Sequence, residues 1–123
     1  MNGYRDLLVW NKAKHFAVNI YKITDASLIK KDFGLTDQIR RASVSIPSNI
    51  AEGDERESDK EGIRFFNIAK ASLAEVRTQL EISVEIGLIS ENDFKSLDDQ
   101  ADELARMLTG LIKSRKQRLT PST

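Results

Sequence analysis

Residues 58–111, SDKEGIRFFNIAKASLAEVRTQLEISVEIGLISENDFKSLDDQADELARMLTGL, carry the pattern that decides the fold. Ser58-Asp59-Lys60-Glu61 matches a capping box, in which hydroxyl and carboxylate each satisfy an orphan amide of a helix start. Phe66, Ala69, Leu73, Val76 and Leu80 then recur at steps of three and four, the spacing of one helical face. Phe65, Ile68, Ile82, Val84 and Ile86 widen that face beyond one stripe, which suggests burial on two sides. Gly87 can take the left-handed conformation that stops a helix. Ser90-Glu91-Asn92-Asp93 is a weaker box, and Phe94, Leu97, Ala101, Leu104, Leu108 and Leu111 alternate three and four without a break. This last helix begins acidic at Glu91 and Asp93 and ends basic at Lys113, Arg115, Lys116 and Arg118, complementing its dipole at both ends.

Toward the N-terminus two further helices are predicted. Val9, Ala13, Phe16, Ile20 and Ile23, with Ala17 and Tyr21 beside them, predict a helix from about Leu7 to Thr24, with Asp6 as a candidate N-cap. Asp25 to Gly34 breaks the period and reads as a loop. Leu35, Ile39, Ala42, Ile46 and Ile50 predict another helix, capped by Thr36 or Asp37 and running to about Gly53. Pro47 interrupts it, because proline lacks an amide and its ring crowds the carbonyl of Ser43. Ser43, Ser45, Ser48 and Asn49 offer short polar groups to the backbone there, so a kinked but continuous helix is expected, with a break at Ile46 as the alternative. Asp54 to Glu57 is a charged turn. With no segment of period two and short connections at 54–57 and 87–90, the expectation is an all-α, antiparallel up-and-down four-helix bundle over residues 1–119, followed by a disordered tail at 120–123.

Composition bounds the function. The chain has 123 residues, 40% hydrophobic and 31% charged, which is enough to bury one core. Without cysteine it has no disulfide framework or thiolate metal site, consistent with a cytoplasmic protein. No leader pattern and no membrane-length apolar run is read from it. Net charge is zero but unevenly spread. Residues 1–50 hold 8 Lys+Arg against 4 Asp+Glu, residues 51–104 hold 6 against 15, and residues 105–123 hold 5 against none. Solvated helix faces account for most such charge. The sharper reading is an acidic segment and basic ends that meet different partners: Arg40, Arg41, Lys113, Arg115, Lys116 and Arg118 as candidate nucleic-acid contacts, and Glu52, Asp54 and Glu55 as candidate protein contacts. Arg40 or Arg41 is also a candidate for a partly buried bridge to a glutamate of the third helix, Glu75, Glu81 or Glu85.

Catalytic chemistry is not legible. His15 is the single histidine and lacks the Glu-x-x-His context of a di-iron bundle, since Lys12 stands three residues before it. There is no thiol and no Gly-x-Ser-x-Gly elbow to pair with it, so it reads as a surface or rim residue. The acid-rich stretches lack EF-hand spacing, and the isolated glycines form no phosphate-binding loop. No metal, cofactor, small-molecule substrate or enzymatic activity is expected.

Two longer strings carry a resemblance. Asp6-Leu7-Leu8-Val9-Trp10-Asn11-Lys12-Ala13 and the run from Phe33-Gly34-Leu35-Thr36-Asp37-Gln38-Ile39-Arg40-Arg41 through Ala42-Ser43-Val44-Ser45-Ile46-Pro47-Ser48-Asn49-Ile50-Ala51-Glu52-Gly53 resemble the four-helix-bundle proteins named for the intervening sequences of bacterial 23S ribosomal RNA genes, often labelled ribosomal-protein-like. Ser72-Leu73-Ala74-Glu75-Val76-Arg77-Thr78-Gln79-Leu80 and Gly87-Leu88-Ile89 extend the match over most of residues 4–112. Asn11 stands where the family usually has glutamine, and Asp54-Glu55 where an aromatic-Gly pair is common. The resemblance implies an up-and-down bundle assembled into a ring, most readily a homopentamer, with no known enzymatic activity. Distant relatives that accompany retroelement reverse transcriptases imply a capacity for RNA or other nucleic-acid binding. The alternative is a structural assembly protein that recruits a basic protein without nucleic acid.

Overall fold

The computed structural model describes residues 3–119. Four α-helices, α1 (Leu8–Ala26), α2 (Phe33–Glu55), α3 (Asp59–Glu85) and α4 (Glu91–Leu119), form the bundle, with short 3-10 turns at Gly3–Asp6 and Leu28–Lys31. Among the described residues there is no strand. Each helix packs on its neighbour in sequence, and α4 returns to α1. The Ile29 amide donates to Leu88 O at 3.0 Å, joining the α1–α2 and α3–α4 connections at one end. The α2–α3 turn and the end of α4 meet at the other, so the direction is up and down.

The cap chemistry explains where the helices start and stop. Ser58 Oγ accepts from the Glu61 amide at 3.1 Å and Ser90 Oγ from the Asp93 amide at 3.0 Å, the hydroxyl half of what each box predicts, while the Glu61 carboxylate pairs with Arg64. Gly87 has φ +78; its amide donates to Val84 O and that of Leu88 to Ser83 O, the paired bonds that close a helix on a left-handed residue. Three expectations need correction. Asp6 belongs to the first 3-10 turn, and α1 starts from Leu7 without a side-chain cap; Asn11 Nδ2 instead takes up the carbonyls of Arg5 and Leu7. The second cap is Asp32, whose carboxylate accepts from the Leu35 amide at 3.0 Å. Phe33 and Gly34 therefore lie in the first turn of α2, and the Thr36 hydroxyl is committed to Ile29 O at 2.7 Å. Within the expected 25–34 loop, Leu28–Lys31 coil into a turn because Ile29 is fully buried and anchors it to the core.

α2 runs through Pro47 to Glu55, which excludes the break at Ile46. The polar side chains around the proline reach Arg40 O, from the Ser43 hydroxyl, and Ser45 O, from the Asn49 amide, rather than the Ser43 carbonyl. The core is one continuous cluster of the predicted stripes, including Phe16, Ile20, Ile39, Ile46, Ile50, Leu73, Val76, Leu97, Leu104 and Leu108. Each such side chain contributes about 1.5–3 kcal/mol through its removal from water. Phe66, Ile63 and Ile112 make a smaller cluster at the α2–α3 turn. There Gly53 and Gly62 bring two backbones together: a Cβ on Gly53 would stand 2.5 Å from the Phe66 ring and 2.9 Å from Gly62 O. The tail expected at 120–123 lies outside the described residues.

Candidate interaction surfaces

The two charged segments singled out in the sequence meet each other. Arg115 Nη2 lies 3.2 Å from Asp54 Oδ1, with side chains only 11% and 17% exposed, and its guanidinium sits 5.3 Å over the Phe66 ring. Arg118 reaches Asp59 at 3.2 Å. The antiparallel return of α4 thus lays its basic end along the acidic α2–α3 turn, and Arg115 and Arg118 are paired within the chain. Lys113 and Lys116 stand exposed farther round α4. Glu52 and Glu55 are exposed on α2, beside Tyr4, Ala51 and Arg56 around a shallow hollow.

Arg40 and Arg41, adjacent in sequence, have different surroundings. Arg40 is half-buried; its Nε donates to Thr24 Oγ1 at 3.0 Å and its guanidinium stacks 4.7 Å from the Tyr21 ring. It joins α2 to α1 through a hydroxyl and a π face rather than a carboxylate. The fully buried Thr24 hydroxyl in turn donates to Ile20 O. Arg41 pairs with Asp37 one turn back, both exposed. From α3 a partly buried bridge runs instead from Arg77 to Asp98 on α4 at 3.2 Å, about one-third exposed on each side. Neither sequence spacing nor periodicity points to that pair, because its partners are 21 residues apart.

The broad apolar surface of α3 is covered in part. Phe65 is buried, enclosed by the guanidinium groups of Arg56 and Arg64 at 4.4 and 4.9 Å. Ile68, Ile82 and Ile86 remain exposed. Two grooves run along α1. Toward α4, a groove of about 430 Å³ is lined by Leu8, Lys12, His15, Gln100 and Glu103, where Lys12 and Glu103 pair at 3.0 Å and His15 stands on the rim. Toward α2, a more apolar groove is floored by Val18, Tyr21, Val44 and Pro47. A polar seam between α2 and α3 joins Ser45 to Ser72 at 2.9 Å and Gln38 to Gln79, whose Oε1 has no hydrogen-bond partner. Among the described residues no cluster of three or more His, Asp or Glu is placed to hold a metal, and no helix is long and apolar enough to cross a membrane.

A four-helix bundle with a capped α2 running through Pro47 and this sequence along it can be set against known families. The model of the 23S rRNA-intervening sequence protein family matches residues 5–110. The chain belongs to that family. A crystal structure of a protein of unknown function from the S23 ribosomal protein family of Bacteroides thetaiotaomicron is similar to this family member with a TM-score of 0.79 and 29% sequence identity. The match covers 86% of this chain and 99% of that one. None of the curated proteins matches. The residues quoted for the resemblance fall inside the matched range, and the expected span of 4–112 exceeds it by one residue at the start and two at the end.

Proposed function

We propose that this member of the 23S rRNA-intervening sequence protein family is a non-enzymatic, cytoplasmic interaction module that works as an assembly of identical copies, a homopentamer by family resemblance. The observation that carries this reading is the apolar surface the bundle leaves open: Val18, Tyr21 and Val44 along the α1–α2 groove, and Ile82 and Ile86 on α3, are all more than two-fifths exposed. These are two separate clusters, and clustered apolar exposure marks a protein contact where singly scattered residues do not. Sedimentation or light scattering on the full chain tests it. A particle of several chain masses is the expected result, and a monomer across the micromolar range overturns the reading.

RNA binding is the second reading, supported by the exposed Lys113 at the end of α4. Commitment of Arg115 and Arg118 to Asp54 and Asp59 leaves fewer cations for phosphates than composition alone suggests. Phosphate binding strengthens steeply as salt falls, so absence of binding to structured RNA at about 50 mM salt removes this reading and keeps the assembly. Capture of a basic protein by Glu52, Asp54 and Glu55 is weakened by the same pairing, because the acidic turn already faces the basic end of α4.

A further inference from the structure

Two apolar faces of the bundle have opposite electrostatic rims. The α1–α2 groove encloses about 370 Å³, its wall is almost wholly apolar, and Lys14 and Lys22 are the only charged residues lining it. Pro47 contributes its ring to that floor. At the C-terminal end of α3, Ile82 and the C-cap residue Ile86 are 46% and 60% exposed. Their spacing of four puts them on one face as a short ridge. Glu81 and Glu85, exposed, stand one residue before each isoleucine, about 100° round the helix.

We propose that a second copy of this chain docks by seating its Ile82–Ile86 ridge in the Lys14–Lys22 groove. Apolar area supplies the affinity, and the opposite charges steer the approach and set its direction. The proposal rests on the oligomer reading above and names the surfaces that make it. Placement within the bundle decides the kind of symmetry. The groove opens between α1 and α2. Ile82 lies one turn beyond Gln79 on the flank of α3 that faces α2, the flank whose Gln79 and Ser72 bond Gln38 and Ser45. Groove and ridge are therefore on neighbouring sides of the bundle, neither the same patch nor opposite patches. A contact between different patches is heterologous, so copies add head to tail, closing into a ring where the rotation between successive copies closes, and a two-fold pair is excluded.

The test is charge reversal in the full chain, read by solution mass. Lys14→Glu with Lys22→Glu reverses the groove; Glu81→Lys with Glu85→Lys reverses the ridge. Each pair alone is expected to reduce the particle to monomer at micromolar concentration, and the chain carrying all four reversals recovers the wild-type mass because the signs oppose again. Lys14 also stacks 5.0 Å over Trp10, so Lys22→Glu alone serves as the variant that leaves that contact intact. Loss of assembly by only one of the two pairs, or no recovery in the fourfold variant while it remains folded by circular dichroism, overturns the docking. An oligomeric wild type whose mass ignores all reversals overturns the docking alone, whereas a monomeric wild type overturns the oligomer reading beneath it.

Discussion

α2 has a neighbour on each flank, and the two seams are built from side chains of different size. Against α3 the facing residues are small: Gly53 on Gly62, and Ser45 bonded to Ser72. Against α1 the outer part of the seam carries Val18, Tyr21, Val44 and Pro47, which leave a groove between the helices. Helices approach as closely as their smallest facing residues allow, so the first seam closes on itself and the second keeps apolar surface in contact with water. The closed seam brings two backbones together, and the open one is where the proposed second copy would dock.

That contrast can be broken most forcefully at the closed seam. Gly53→Val pushes methyl groups into the Phe66 ring and the Gly62 carbonyl and is expected to cost about 3 kcal/mol in urea unfolding. Phe66→Leu in the same chain should return part of that loss, giving a coupling energy of about 1 kcal/mol in a double-mutant cycle. Additive losses would mean that the ring is not the obstacle.

A smaller effect is expected beside it. Asp54→Asn leaves Arg115 nearly buried without its carboxylate and should destabilise by about 2 kcal/mol, less than a fully enclosed pair because both groups keep some solvent. Asp54→Asn combined with Arg115→Met removes the orphaned charge and should recover most of it. If Asp54→Asn is neutral, the pair is a surface contact and the acidic turn is available to outside partners after all.

At the open seam the expected stability effect is smallest. Val44→Asp changes an exposed residue and should shift the unfolding free energy by no more than about 0.5 kcal/mol while lowering the solution mass. A large stability loss without a change in mass would place Val44 in the core's service rather than a partner's.

Much of the bundle is legible in the amino-acid sequence. The stripes of Val9 to Ile23, Ile39 to Ile50, Phe66 to Leu80 and Leu97 to Leu108 supply the buried cluster, and Ser58, Ser90 and Gly87 act at the helix ends as their chemistry predicts. These features depend on residues within a turn or two of each other, where spacing along the chain is spacing in space. Asp32 does not read as a cap because Phe33 and Gly34 look like loop, and only the buried anchor at Ile29 brings the chain into helix that early. The candidate contacts are legible only as charged segments: residues 52–61 are acidic and 113–118 basic, but nothing in their order says that α4 turns back to lay Arg115 on Asp54, 61 residues away.

Composition and periodicity by themselves determined the all-α class, the four helices, their order and the absence of a thiol chemistry, since each follows from local spacing or from residue type. Only the tertiary structure decided which charges cancel, that Arg40 bonds Thr24 and Tyr21 while Arg41 stays at the surface, and which apolar residues remain uncovered. Those outcomes depend on how closely two helices pack, and packing distance is set by pairs of side chains far apart in the chain, a quantity that no run of neighbouring residues contains.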